Sequence, residues 1–310
     1  MSTFINTRTY FQSQTKIIQT EYSKSAPMKP LRYPTIFNAF AGDEDRSFFQ
    51  ALSLVGFGTL SLRDEGQSAA IDASKEGLLS AFPYVTYALK YIVTKEMSRE
   101  DAKRVIPKLP ALLRYSSDQT KEFLFWNVFN LAFSGQVLLA DGQPLCSNAH
   151  PLTGAAGTYS NTLGAVSLTV ETLQQAFVLM GNMPDDRGLT TYRTPQDLIY
   201  PLGLHKTAVE VLSSMYYPTS NENKVNAVKG SVEPHAIEYL TSNANGPFPW
   251  FVLAGKGALG TDSHTVFASV KWDEQRAWVN EENESLNHET EFRAVWGAVD
   301  GRGIVGSQGA

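Results

Sequence analysis

Cysteine is nearly absent: Cys146 stands alone among 310 residues, which excludes an internal disulfide framework and a multi-cysteine zinc site. Long apolar runs are missing too. No window reaches the roughly 18 consecutive apolar residues of a membrane span, and the opening MSTFINTRTYFQSQ has no signal-peptide core, so no membrane partner is expected. Positive charge is in the minority, with 26 Lys and Arg against 31 Asp and Glu, so there is no chain-wide attraction to a nucleic-acid backbone. The five histidines, His150, His205, His235, His264 and His288, show no ligand spacing such as HExxH. GxxxxGK[ST] and GxGxxG are also missing. Neither a metal nor another cofactor is expected.

What is present is an ordinary globular composition, 43% hydrophobic, enough for one elaborate domain or two modest ones. Its organising stretch is helical. Ser98-Arg99-Glu100-Asp101 reads as a helix start, and apolar positions recur through Val105, Leu109 and Leu112, then Phe123, Trp126 and Phe133. Pro107 and Pro110 predict a break, with Ser116 or Ser117 recapping a second piece and Gly135 closing it. Phe123, Phe125, Trp126, Phe129 and Phe133 encircle this helix, which suits an element buried on several sides better than a base-stacking stripe.

Two regions lack a core of their own. Met1 to about Pro34 has no sustained period, yet carries Tyr10, Phe11, Ile17 and Ile18, more apolar than a solvated tail needs; it reads as an arm docked elsewhere. Asp43 to Leu54 reads as a short helix with Phe48, Phe49, Leu52 and Val55 inward. Beyond it, Leu60 and Leu62 alternate with polar residues before the charged stretch Arg63 to Glu76, and Tyr84 to Val93 alternates again. This predicts a long hairpin with a polar tip.

From Ser134 to about Leu259 helices and strands alternate. Ser167 or Thr169 caps a helix facing Val170, Leu173, Phe177 and Met180 inward; a strand at Asp197 to Pro201, a helix at Leu204 to Met215, and strands at His235 to Leu240 and Trp250 to Leu253 complete an α/β lobe. The tail adds a strand through Val266, Ala268 and Val270, a charged turn at Glu281 to Glu284, and a return strand through Phe292, Ala294, Trp296 and Ala298. The best catalytic candidate is Cys146 as nucleophile with His150 as base and Asp141 orienting it, but a small packing cysteine beside a turn histidine explains the same residues. The acids Asp185-Asp186 and Glu281-Glu282-Glu284 read as solvated faces.

In order along about Met97 to Ser307, the segments TKEFLFWNVFNLAFSG, DGQPLCSNAHP, LGAVSLTVETLQQAFVLM, DLIYPLGLHKTAVEVL and VDGRGIVGS resemble the Mu-like major head subunit family of tailed phages. The resemblance implies an α+β chain with the capsid fold named after Hong Kong phage ninety-seven. On that plan residues 1–34 form the N-terminal arm, 35–55 lead into the P domain, 56–85 form the E-loop, 86–134 form the P domain with its spine helix, 135–259 form the A domain, and 260–310 supply P-domain return strands and the C-terminus. Two departures stand out. Cys146 occupies a position where the family often carries an aromatic or other apolar residue, and no large N-terminal scaffolding domain is present, which implies a separate scaffold or a processed chain.

The implied function is self-assembly into the icosahedral head of a tailed phage around double-stranded DNA, without catalysis. The implied partners are further copies in hexamers and pentamers, scaffold and portal proteins, non-specifically contacted DNA, and an optional decoration protein. The place implied is the virion, with assembly in the host cytoplasm. The alternatives are the shell of an encapsulin-type nanocompartment on the same fold and, remotely, a cysteine-dependent hydrolase. An arm and a hairpin without cores suit subunits that overlap neighbours. The inter-subunit candidates are therefore Arg63, Asp64, Glu65, Lys75 and Glu76 on the loop and Tyr10, Phe11, Ile17 and Ile18 on the arm.

Overall fold

In the computed structural model, a helix over Leu109–Asn130 (α4) carries Phe125, Trp126 and Phe129 into the centre of the molecule, each almost wholly buried. Phe37 meets the Trp126 and Phe129 rings edge-on at 5.2 and 5.8 Å. The buried Glu122 accepts from Trp126 Nε1 at 2.6 Å and from the backbone N–H groups of Arg32 and Tyr33, which ties the incoming chain to this helix. The structure describes residues 15–22, 30–39, 47–100, 105–218, 224–240, 247–256, 263–280, 282 and 285–310.

The described elements begin with α1 (15–22), α2 (Tyr33–Ile36), β1 (Phe48–Val55), β2 (Lys75–Pro83), β3 (Val85–Val93) and α3 (Lys95–Glu100). A 3-10 turn at Ile106–Lys108 leads into α4. The prolines start this helix and do not kink it: Pro110 lies in its first turn, where a missing N–H costs nothing. Ser116 and Ser117 are interior to α4 and recap nothing, and the helix ends at Asn130, before Gly135.

After α4 come β4 (His150–Pro151), β5 (Thr158–Tyr159), β6 (Thr162–Gly164), α5 (Val170–Gly181), β7 (Pro195–Pro201), α6 (His205–Ser213), β8 (Glu233–Ile237) and β9 (Trp250–Ala254). The chain closes with β10 (Val266–Asn280), β11 (Ser285–Ala298) and β12 (Ile304–Ser307). Thr169 caps α5 through a reciprocal pair of hydrogen bonds with Thr172.

One sheet has the order β10-β11-β3, all antiparallel, with α4 across it; Phe125 and Trp296 sit 5.7 Å apart and Tyr87 stacks on Phe292 at 5.5 Å. A five-stranded sheet has the order β6-β12-β9-β7-β8. Strand β9, the apolar run WFVLA, is buried on both faces: Trp250 and Val252 pack with α5 and α6, Phe251 and Leu253 with the α4 core.

Three expectations are corrected. The stretch assigned to a helix at Asp43 to Leu54 is strand β1 from Phe48 onward, and residues 43–46 lie outside the described residues. Its spacing fits a helix, but pairing with β2 imposes period two, so Ala51 and Val55 turn inward and Phe48 and Leu52 are half-exposed. Leu60 and Leu62 belong to no strand; the hairpin runs through β1 and β2, below them.

The C-terminal strand β12, at a place where the sequence predicts no strand, joins the five-stranded sheet. It lies between β6 and β9, because Ile304 and Val305 alternate between the two cores and Gly306 lets the backbone press close; a Cβ there would stand 2.6 Å from Cys146 Sγ. The arm is not without contacts either. Ile18 on α1 is 3% exposed and packs with Val93 and Leu286, while Tyr22 Oη lies 2.9 Å from Thr290 Oγ1. No helix among the described residues is long and apolar enough to cross a membrane.

Candidate assembly surface

Between β1 and β2 the chain leaves the body and returns as a loop without regular structure over residues 56–74. Every residue from 59 to 74 is exposed. Leu60, Leu62 and Ile71 are 100%, 95% and 99% exposed, and Phe57 is 62% exposed. Scattered apolar surface is ordinary, but here four apolar side chains are gathered on one element that gives them little cover.

The turn at its end uses Gly66 at φ +83°, a conformation glycine adopts without strain. Arg63 Nε donates to the Gln67 carbonyl and Gln67 N donates to Asp64 O at 3.1 Å, so Arg63 partly shapes the turn itself. Asp64, Glu65 and Glu76 are exposed, and Lys75 opens β2 opposite Val55. Charge patterning drew attention to these five residues and passed over the leucines. The missed signal was apolar residues inside a stretch with no core to receive them.

The root of the loop is held. Asp72 accepts from Gly58 N and Ala73 N, both at 2.9 Å, and from Arg187 Nη2 at 3.0 Å. Arg187 Nε also donates to Gly56 O at 3.1 Å. The Gly58 N–H and, after it, the Arg187 guanidinium hold the Asp72 carboxyl below the usual carboxylate range. Of the arm candidates, Ile17 is 49% exposed whereas Ile18 is buried in its own subunit and is not available to a neighbour. Tyr10 and Phe11 lie outside the described residues.

The catalytic candidates come together only in part. His150 Nδ1 lies 2.6 Å from Asp141 Oδ2, but its Nε2 lies 3.2 Å from Asn161 Oδ1 and is not engaged with Cys146. Cys146 sits in the core beside Phe133, Phe251 and Gly306, where burial raises the thiol pKa far above its ordinary value and disfavours the nucleophilic thiolate.

His150 instead belongs to a structural network. It stacks on Tyr159 at 4.8 Å, and Tyr159 Oη donates to Asp300 Oδ1 at 2.8 Å. Arg302 bonds Asp300 at 2.6 Å, Asp186 at 2.9 Å and the Pro184 carbonyl at 2.9 Å, with its guanidinium over the Tyr159 ring. Burial disfavours the Asp300 charge, but Arg302 and the Tyr159 hydroxyl outweigh it and hold the carboxyl below its ordinary range. Asn161 Nδ2 donates to Leu145 O and Gly301 O at 2.7 and 2.8 Å. The segments DGQPLCSNAHP and VDGRGIVGS, distant in sequence, are two sides of one buried joint.

The family model for phage capsid protein matches residues 84–307. No curated protein sequence matches the chain. Among solved structures, the mature capsid of bacteriophage PhiM1 aligns at 10% identity with a TM-score of 0.59, covering 93% of this chain and 89% of that one. The capsid of bacteriophage JBD30 aligns at 14% identity with a TM-score of 0.55, covering 71% and 94%. A virus-like particle from Pyrococcus furiosus aligns at 10% identity with a TM-score of 0.52, covering 96% and 99%. At such identities the likeness speaks for the fold, which is of the Hong Kong phage ninety-seven type. With a family match running from β3 to β12 on that fold, the chain belongs to the phage capsid protein family and is a major capsid protein, a structural subunit of the virion shell.

Proposed function

We propose that this capsid protein is a Mu-like head subunit that closes an icosahedral shell of hexamers and pentamers around double-stranded DNA. In this reading residues 56–74 are the tip of an E-loop lying on the neighbouring subunit, α4 is the spine of the P domain, and the five-stranded sheet with α5 and α6 forms the A domain at the capsomer centre. The observation that carries the contact role is the near-complete exposure of Leu60, Leu62 and Ile71 on an element with no core. Covering them on a neighbour would bury apolar area at every symmetry-related contact, roughly 1.5 to 3 kcal/mol per side chain fully buried. The net charge of −5 suits a container that must release its DNA. Scaffold and portal proteins would direct assembly in the host cytoplasm, and a decoration protein could join the finished shell.

The test is the double variant Leu60→Asp with Leu62→Asp, followed by light scattering and negative-stain microscopy beside the parent. The isolated subunit should melt as the parent does, since both sites are solvent-exposed, while shells fail to form. Equal shell yields would remove the contact role from this loop. Nuclease-protected DNA in shells purified from infected cells checks the content; shells filled with protein cargo and no genome would overturn it.

A further inference from the structure

Sequence spacing shows no metal-ligand pair, but the parallel pairing of β7 with β8 makes one cluster that spacing could not reveal. Asp197 is the register partner of Glu233, and His235, two residues on, projects from the same side of β8. One ligand atom from each of the three lies within 4.8 Å of the others. His235 Nε2 already stands 2.8 Å from Asp197 Oδ1, with the two side chains 17% and 15% exposed. The Glu233 side chain is exposed and has no hydrogen-bond or ion-pair partner among the described residues. The nearby Lys256 directs its ammonium to the Pro34 carbonyl.

We propose that Asp197, Glu233 and His235 bind one divalent transition-metal ion, with zinc the best chemical match, and that the ion staples the outer strand of the five-stranded sheet. The donor set decides the metal class. One imidazole nitrogen with two carboxylate oxygens suits a borderline ion, whereas magnesium and calcium favour oxygen alone. Ligand bonds of about 2.0 to 2.2 Å set tetrahedral donors about 3.3 to 3.6 Å apart, so small side-chain rotations suffice. Metal binding through His235 Nε2 requires the neutral ring with its proton on Nδ1, so a proton on Nε2 would move to Nδ1 by exchange with solvent. The fourth position would be filled by water. Among the described residues strand β8 is at the edge of its sheet, beside β7, so the ion would join Asp197 of β7 to Glu233 and His235 of β8.

This inference is independent of the shell reading, since it concerns the fold of one subunit. Tag-free protein stripped with a chelator is titrated with zinc chloride by calorimetry, and bound zinc is counted after desalting. One zinc per chain is expected, with a melting temperature raised by zinc and little response to magnesium. Glu233→Gln and His235→Gln should each weaken binding at least tenfold and abolish the zinc-dependent rise in melting. Glu233 has no partners to lose, so its variant should fold as the parent does in chelator, which keeps the test clear of misfolding. Zinc at one per chain in both variants, or none in the parent, would overturn the site.

Discussion

Arg187, on the turn that precedes β7, donates from Nη2 to Asp72 Oδ1 at 3.0 Å and joins the root of an exposed loop to the α/β lobe of its own chain. The same guanidinium reaches Gly56 O and Ala73 O, one on each side of the loop's neck. The neck is therefore closed by one side chain while the tip has no intrachain covering for its leucines. That division suits a loop aimed outward from a fixed base.

Arg187→Ala should leave the melting of the free subunit nearly unchanged while loosening the loop. Limited proteolysis at low enzyme concentration should cut residues 56–74 several times faster in the variant, because cleavage follows the population of opened loop. Equal cleavage rates would mean that the β1–β2 ladder alone positions the loop.

The neighbouring isoleucines of α1 should behave differently. Ile18, 3% exposed, should cost roughly 2 to 4 kcal/mol when changed to alanine, whereas Ile17, 49% exposed, should cost under about 1 kcal/mol. Urea unfolding of the two variants measures the difference. Similar midpoints would show that α1 does not dock on its own subunit in solution, and removal of residues 1–29 would then be harmless to the fold.

Acid should weaken the subunit through two buried histidines. Burial pushes His264 and His288 down to about 4 from 6.5. His288 is held between Tyr91 Oη at 3.1 Å and Gln275 Oε1 at 3.2 Å, which suits a neutral ring that accepts from one and donates to the other. Between those pH values the unfolded chain binds more protons than the folded one, so stability is full above about 6.5 and falls as pH drops toward 4. The slope is at most about 1.4 kcal/mol per pH unit for each group. Urea midpoints at pH 7, 6 and 5 for the parent and for His264→Gln with His288→Gln test it. A parent curve no steeper than that of the double variant would remove the histidines as its cause.

Gly306 and Cys146 should be coupled. A Cβ on Gly306 would meet Cys146 Sγ at 2.6 Å and ring atoms of Phe133 and Phe251 at 3.0 Å, so Gly306→Ala should cost about 1 to 3 kcal/mol. Adding Cys146→Ala should recover part of that loss, because it removes the nearest atom. A double-mutant cycle by thermal unfolding gives the coupling directly, and additive effects would place the strain on the two rings alone.

The chain's capping residues, aromatic spacing and alternating strands carried their own assignments. Thr169 caps α5, α4 buries Phe125, Trp126 and Phe129 although it leaves Phe123 55% exposed, and the long β10–β11 hairpin lies where its alternation predicted, since each depends on neighbours a few residues away. The ordered motifs also pointed to the phage capsid family, and two of them, DGQPLCSNAHP and VDGRGIVGS, supply residues that meet. What joins them was invisible in one dimension: His150, Asn161, Tyr159, Asp300 and Arg302 become one network only when the chain folds back. The same holds for β1, whose spacing fits a helix until β2 pairs with it, and for β12, which strand order alone places beside β9. Asp197 and Glu233 likewise meet through a parallel register that no local spacing encodes. Local sequence determined the elements because their backbone preferences are local. Tertiary structure decided the joint, the edges and the exposed loop, because those depend on which distant surfaces find cover and which are left without it.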